Sequence, residues 1–194
     1  MSFFLLLSRI IDKINDKVGL GVSWALLIAV IICSGNALIR YTFNSSSNAW
    51  LEIQWYLFSA IFLLATSHTL HRNEHIRIDV ISSRLPKRAQ VWIDIFGFTV
   101  FLLPISLIIL YYAVPYAWES FQSQEYSSNA GGLIVWPAKL LIPVGFLMLT
   151  LQAFSELIKR IGYLMGKVDA SEFERHARTP EEAIEAIKAA NKIN

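Results

Sequence analysis

The sequence predicts an all-α integral membrane protein with four transmembrane helices, and two observations support this class. Of its 194 residues, 55% are hydrophobic and 16% are charged, which leaves too little polar surface for a soluble chain of this length. The apolar residues also form four blocks, each at least as long as the roughly 17–25 residues that a helix needs to cross a bilayer. These blocks predict spans at about 18–40, 51–70, 91–117 and 134–160.

The first 17 residues have an amphipathic pattern of their own. An apolar residue recurs every three or four positions, while most charged residues fall on other faces of the predicted helix. This pattern predicts a helix over residues 1–17 that lies in the membrane surface. The alternative is that these residues are a polar-capped extension of the first span. The apolar positions are Phe4, Leu7, Ile10 or Ile11, Ile14 and Val18.

The distribution of lysine and arginine predicts that both termini are cytoplasmic. These residues are frequent before the first span, between the second and third spans and after the fourth, whereas residues 41–50 and 119–133 contain none. An excess of positive charge in the connecting segments marks the cytoplasmic side of a membrane protein. The residues on that side are Arg9, Lys13, Lys17, Arg72, Arg77, Arg84, Lys87, Arg88, Lys159, Arg160 and Lys167.

The chain is predicted to divide into the N-terminal segment, a membrane domain at 18–165 and a cytoplasmic tail at 166–194. The tail contains one short predicted helix, with Thr179 as its N-cap, Pro180 at its first position and Glu182 closing a capping box.

The first span carries small side chains at every fourth position along one face. Helices in lipid associate largely by close packing, which small residues permit. The stripe therefore predicts a packing surface, either against other spans of the same chain or against another protein. The face of the second span that holds Trp55 and Ser59 is predicted to pack in the same way. The residues of the stripe are Gly21, Ala25, Ala29, Cys33 and Ala37.

The second span opens with a glutamate in the aromatic stretch WLEIQWYLF, residues 50–58. A carboxylate at the bilayer centre costs about 2.5–3.5 kcal/mol, but Glu52 lies within one turn of the outer interface, beside Trp50. We predict that Glu52 is an interfacial anchor and that it pairs with Arg40 across the short outer loop. The central portions of the spans supply no further ionisable groups, which argues against a chain that transports ions by itself.

Histidines and acidic residues gather at the end of the second span, in SHTLHRNEHIRID at residues 67–79. Such a cluster raises the hypothesis of a metal site. No second cluster on another span is evident to complete the site, and the other three spans lack a histidine that would bind haem. We therefore predict no metal, no cofactor, no catalytic site and no nucleic-acid partner. The residues of the cluster are His68, His71, Glu74, His75 and Asp79.

Three stretches resemble the small membrane subunit (the Q-type, DctQ-like component) of tripartite ATP-independent periplasmic transporters, or TRAP transporters. These stretches are NALIRYTFNSSSNAWLEIQWYLF, HTLHRNEHIRIDV and NAGGLIVWPAKLLIPVGF. The resemblance extends over roughly residues 20–165. It is carried most strongly by Arg40 with Tyr41, Trp50 with Glu52, and residues His75 to Asp79.

The resemblance implies partners and an activity. In such systems a periplasmic binding protein captures a small solute, commonly an organic acid, and a large multispan subunit moves it across the bacterial inner membrane with a sodium gradient. The small subunit braces the large one. We therefore expect a non-catalytic accessory subunit. The alternatives are a four-helix, haem-binding redox subunit and a small autonomous channel or exporter.

Several polar residues are predicted to fix the position of the subunit at the two membrane surfaces. Arg40, Trp50, Glu52, Arg77 and Asp79 are predicted to act as structural polar or anchoring residues. The positive residues around the connection between the second and third spans are predicted to contact lipid phosphates. These are Arg72, Arg77, Arg84, Lys87 and Arg88.

Overall fold

The computed structural model describes residues 2–44, 47–72 and 85–169, and the regular elements in these ranges are four helices. They are α1 at Ser2–Phe43, α2 at Asn48–His71, α3 at Lys87–Ser123 and α4 at Trp136–Leu164. All four helices are long and apolar enough to cross a membrane. The predicted all-α fold with four transmembrane helices is therefore confirmed.

The helices are longer than the predicted spans. The segment predicted to lie in the membrane surface and the first predicted span together form the single helix α1, which has no break between them. The position of residues 1–17 relative to the membrane stays a prediction. The predicted tail helix, which begins at Thr179, lies outside the described residues.

The outer surface of the bundle is apolar along all four helices. Large apolar side chains are exposed in the isolated chain, for example Trp24 at 64% and Phe62 at 73% of their full accessible surface. Such a surface is suited to the hydrocarbon core of a bilayer. The backbone polar groups do not prevent this placement, because each helix satisfies them with its own hydrogen bonds. Further exposed residues of this kind are Phe101, Tyr112 and Phe154.

Helix α4 is the centre of the bundle. In its most apolar 18-residue window, 44% of the residues are buried, against 11–17% in the other three helices. It packs against α1, α2 and α3. The main apolar core lies where α2 and α3 pack against this helix, and it consists of Leu70, Phe98, Leu103, Leu149, Ala153 and Leu157.

A close contact between α2 and α4 is made possible by Gly145. A Cβ atom at this position would lie 2.8 Å from the Cβ and 3.0 Å from the carbonyl oxygen of Leu63. We expect Gly145→Ala to lower the free energy of unfolding by about 1–3 kcal/mol, because the overpacked backbone has to move. The measurement is thermal or denaturant-induced unfolding of the purified protein in a mild detergent.

The matched control for this substitution is Gly35→Ala. Gly35 lies within α1, and a Cβ there would meet nothing within 4 Å. We expect Gly35→Ala to leave stability unchanged or to raise it by about 0.5–1 kcal/mol, because alanine loses less backbone entropy in a helix. Equal stability of the two variants would contradict the α2–α4 packing described here.

Helix α3 contains a wide turn at Phe98–Leu102, where the chain adopts π-helical geometry. The N–H of Leu103 donates to the carbonyl of Phe98, five residues earlier. Pro104 follows immediately; a proline in a regular α-helix lacks the N–H and clashes with the carbonyl four residues before it. The wide turn relieves this conflict, and both Phe98 and Leu103 remain in the core.

The connection from α3 to α4 folds back on itself in a short hairpin. Helix α3 ends where Gln124 adopts a left-handed backbone with φ of 47°, and the N–H of Glu125 bonds to the carbonyl of Ser120. Tyr126 and Ile134 then form an antiparallel bridge. The hairpin lies at the same end of the bundle as the start of α2, which is the end predicted to face the periplasm.

Candidate functional site

Polar side chains gather at both ends of the bundle, and the first group surrounds Glu52 near the start of α2. Its Oε1 accepts hydrogen bonds from the Ser127 hydroxyl and from Asn129 Nδ2, the latter at 2.9 Å. Its Oε2 accepts the backbone N–H of Leu133 at 2.6 Å. Glu52 is only 3% exposed. We call Glu52, Ser127, Asn129 and Leu133 the outer cluster.

Helix α2 contacts the hairpin at three positions spaced four residues apart. Besides Glu52, Asn48 Nδ2 donates to the carbonyl of Ala130 at 2.9 Å, and the Tyr56 hydroxyl donates to the carbonyl of Ile134 at 3.0 Å. Residues four apart lie on one face of a helix. One face of α2 therefore contacts the hairpin along residues 127–134.

The predicted pairing of Glu52 with Arg40 is wrong. Glu52 is bound by hydroxyl, amide and backbone N–H donors of the hairpin, whereas Arg40 near the end of α1 is exposed. Neutral donors satisfy this carboxylate because several of them converge on it from one turn. The partner of Glu52 is thus the α3–α4 connection rather than the α1–α2 connection.

A second carboxylate, Glu125, holds the hairpin from the other side. Lys139 Nζ and the Ser120 hydroxyl both donate to its Oε2, and Lys139 Nζ also lies 4.3 Å from the centre of the Tyr116 ring. The hydrogen bond from the Lys139 ammonium, together with that from Ser120, holds the pKa of the Glu125 carboxyl below its usual range. Ionised Glu125 therefore ties the hairpin to the first turn of α4.

We expect the attachment through Glu125 to weaken on acidification. A carboxylate whose pKa is lowered by folding contributes stability above its unfolded pKa, and this contribution disappears as the pH falls through the lower folded value. The check is a carboxyl ¹³C NMR titration of Glu125 in the full chain and in Lys139→Met. The midpoint should move upward in the variant, and an unchanged midpoint would contradict the pairing.

The second polar group lies at the opposite end of the bundle and joins α1, α2 and α4. Asp12 Oδ1 lies 3.2 Å from His71 Nδ1 and 2.9 Å from both Gln152 Nε2 and the Ser155 hydroxyl. Its Oδ2 lies 2.8 Å from Lys159 Nζ. Every oxygen of this carboxylate is therefore bound by a side chain from another helix.

Helix α4 supplies the most deeply buried charges of this group. Glu156 bonds to Lys159 Nζ at 2.8 Å and to the guanidinium of Arg160. Arg160 Nε also lies 3.0 Å from Asp94 Oδ2 of α3. Lys159, Arg160 and Glu156 are each no more than 2% exposed. We call Asp12, His71, Gln152, Glu156, Lys159 and Arg160 the inner cluster.

Uncharged side chains extend the inner cluster between helices. Asn15 Nδ2 donates to Gln152 Oε1 at 2.5 Å, and Asn15 Oδ1 accepts from the Ser67 hydroxyl at 2.8 Å. Ser8 and Ser155 share a hydrogen bond of 2.6 Å. Buried polar groups are costly unless they are paired, and these residues pair one another across α1, α2 and α4.

The inner cluster places polar residues of two other helices beside His71, where no second cluster was evident from the sequence. His71 meets Asp12 of α1 and Glu156 of α4, and their ligand atoms all lie within 4.8 Å of one another. The sequence does contain a signal for this contact. In α4 the polar residues recur every three or four positions along one face, at Gln152, Ser155, Glu156, Lys159 and Arg160.

The two carboxylates beside His71 in the inner cluster are already bound by a cation. Lys159 Nζ lies 2.8 Å from oxygens of both Asp12 and Glu156. A divalent ion at this point would have to displace the lysine and would face its charge at close range. The donor set therefore fits an interhelical ion-pair network better than it fits a metal site.

The small-residue stripe of α1 is divided by the fold. Ala29 is fully buried, whereas Gly21, Cys33 and Ala37 are exposed. A tighter contact lies outside the stripe at Gly19, where a Cβ would lie 2.5 Å from the ring of His68 on α2. Among the described residues the stripe is therefore buried at its middle, at Ala29, and partly buried at Ala25.

The remaining predicted residues lie mainly on the surface. Trp50 and Trp55 of α2 are 49% and 61% exposed, and Ser59 is partly buried. Arg72 lies 3.6 Å from Asp16, while Lys87 and Arg88 are exposed at the start of α3. The predictions for Glu74, His75, Arg77, Asp79 and Arg84 lie outside the described residues.

Four apolar helices with an apolar exterior, and with polar clusters confined to their ends, define a multi-pass membrane protein of the helical-bundle type. A family model described as tripartite ATP-independent periplasmic transporters, DctQ component, matches residues 27–162. The chain therefore belongs to this family and is a DctQ-like small membrane subunit of a TRAP transporter. Comparison with curated proteins gave no match.

Proposed function

We propose that this chain is a non-catalytic accessory subunit that braces a large multispan transport subunit during sodium-driven, binding-protein-dependent uptake of an organic acid or a similar small solute. The family match carries the proposal. The structure supports it because the charged groups of both clusters are bound by partners from the same chain, as in Glu52 with the hairpin and Lys159 with Asp12. A carboxylate that carries an ion through the membrane has to exchange partners. The carboxylates of the two clusters are instead bound to other parts of the same chain, which is typical of groups that stabilise a fold.

The first experiment is affinity purification of this chain from native membranes in a mild detergent, with mass spectrometry of the proteins that accompany it. The expected result is a stoichiometric multispan partner. Solute uptake into liposomes is then expected only when that partner, a periplasmic binding protein and a sodium gradient are all present. Flux through the chain alone would favour an autonomous channel, and an intense visible absorption band would favour a haem-binding subunit.

The exposed part of the α1 stripe is our candidate contact for the large subunit. Cys33 is exposed in the isolated chain, and a small residue there allows another helix to approach closely. Cys33→Trp is expected to reduce recovery of the large subunit. The control is Ile31→Trp, which alters an exposed residue on nearly the opposite face of α1. Equal recovery with both variants would exclude this surface.

The proposed location is the bacterial inner membrane, with both termini in the cytoplasm and contacts to membrane lipids around the bundle. The charge distribution supports this orientation. The orientation can be measured in intact cells by labelling single cysteines that are introduced into a Cys33→Ser variant. Ser128→Cys in the hairpin is expected to react with a membrane-impermeant thiol reagent, and Lys167→Cys after α4 is expected to be protected. The reverse pattern would refute the orientation.

A further inference from the structure

His71, the last residue of α2, has a carboxylate on each side of its ring. Its Nδ1 lies 3.2 Å from Asp12 Oδ1 and 3.9 Å from Glu156 Oε1, and its Nε2 lies 3.7 Å from Asp16 Oδ1. A neutral imidazole has one N–H and one lone pair, so one of its nitrogens would direct a lone pair at a carboxylate oxygen. Only the imidazolium form presents an N–H on both sides.

The charges that face His71 come from every helix packed against it. Helix α1 contributes Asp12 and Asp16, and α4 contributes Glu156 and Lys159. The ammonium of Lys159 binds both Asp12 and Glu156. At the end of α2, the side chains of Arg72 and His68 lie 3.6 Å and 3.7 Å from Asp16 Oδ1. Three carboxylates thus approach the ring closely, and a proton on His71 supplies the positive charge between them.

The inner cluster holds the N-terminal half of α1 by polar contacts. In this segment the polar side chains of Ser8 and Asn15 and the apolar side chain of Ile11 are buried, and the exposed side chains include Phe4, Leu7 and Ile14. An apolar face that contacts lipid gains little from packing onto the bundle, since lipid tails are as apolar as the helix surface. The attachment of this segment therefore depends on the hydrogen bonds and ion pairs around Asp12.

We propose that His71 is a proton-binding site that controls the attachment of the N-terminal half of α1 to the bundle. With His71 protonated, Asp12 and Asp16 of α1 are bound to the end of α2. When the pH rises and the proton leaves, a lone pair faces one of these carboxylates, and the segment separates from α2 and α4. The state of the subunit at the membrane surface thereby responds to the proton concentration on that side.

The protonation of His71 is tested directly by ¹⁵N NMR of the histidine rings. The sample is the full chain in lipid nanodiscs, with His68, His75 and His176 replaced by glutamine so that one ring remains. Both ring nitrogens of His71 are expected to carry a proton at neutral pH and to lose one at alkaline pH. A neutral ring at neutral pH would overturn the proposal, and this measurement leaves His71 itself unchanged.

The consequence for α1 is tested by electron paramagnetic resonance distances between spin labels at two exposed positions, Leu6→Cys in α1 and Ile161→Cys in α4, in a Cys33→Ser background. We expect a narrow distance distribution at neutral pH. At alkaline pH the population in which α1 is detached should be about tenfold larger, because the loss of one charged hydrogen bond changes an equilibrium by about this factor. His71→Gln should be broad at both pH values, and His68→Gln should behave like the parent. A distribution that is narrow at both pH values in the parent would overturn the proposal.

Discussion

Replacement of Lys159 by methionine should lower the free energy of unfolding by about 3–5 kcal/mol, because it leaves buried carboxylates without their cation. Lys159 is 2% exposed, and its ammonium lies 2.8 Å from both Asp12 Oδ2 and Glu156 Oε1. Methionine keeps most of the volume of the side chain and removes the charge. The measurement is the unfolding transition in detergent, together with the yield of monodisperse protein.

Two further variants separate the buried charge from general effects of the substitution. Asp12→Asn combined with Lys159→Met removes opposite charges together and is expected to recover part of the lost stability. Lys167→Met, at an exposed lysine beyond the end of α4, is expected to be nearly neutral. If Lys159→Met were as stable as Lys167→Met, the inner cluster would not contribute to the fold as described.

Glu52→Gln should release the hairpin between α3 and α4 while leaving the helices intact. The amide retains one oxygen that accepts from Ser127 and Asn129, but its NH₂ group replaces the oxygen that accepts the backbone N–H of Leu133. Two donors then face each other, and the Leu133 N–H loses its partner. We expect amide hydrogen exchange at Leu133 to become faster by about tenfold or more, since exchange follows local opening.

The control for Glu52 is Glu119→Gln, which removes an exposed carboxylate near the end of α3. We expect this variant to leave exchange in the hairpin unchanged. Glu52→Gln should also reduce transport by the assembled complex if the large subunit or the binding protein contacts an ordered hairpin. Unchanged exchange at Leu133 in Glu52→Gln would show that the carboxylate does not hold the loop.

The helices themselves are predictable because hydropathy over about 20 residues is a local property of the chain. Their ends are less predictable, as α1 shows. Residues 2–17 contain several charges, and from sequence alone this composition favours a separate helix in the membrane surface. In the structure one helix runs through both segments, and Asp12 and Asn15 contact polar residues of α4.

The partner of Glu52 was not predictable from the sequence. Reasoning from charge favours the nearest cation, Arg40, but the hairpin provides a backbone N–H and two uncharged side chains that converge on the carboxylate. These donors come from residues about 75–81 positions away in the chain. They become neighbours only when α2 and α4 lie side by side, and no local pattern records that arrangement.

The inner cluster was partly predictable. The polar residues of α4 recur with helical spacing, and so do Ser8, Asp12 and Asn15 of α1, so each helix shows a polar face within an apolar sequence. What the sequence does not contain is the register that brings Asp12 beside Lys159 and His71. A periodic polar stripe shows that a helix has a partner. Which residues form that partner depends on the tertiary packing.

The length of helix α1 also makes the position of this protein in the membrane depend on the thickness of the bilayer. Its 42 residues span about 63 Å, roughly twice the 30 Å of a bilayer's hydrocarbon core. How much of its exposed apolar face is immersed therefore depends on the elastic cost of deforming the surrounding lipid. A thicker membrane immerses more of the segment that carries Asp12, and a thinner one leaves more of it at the surface. Lipid chain length thus acts mechanically on the end of the bundle where the charges are buried.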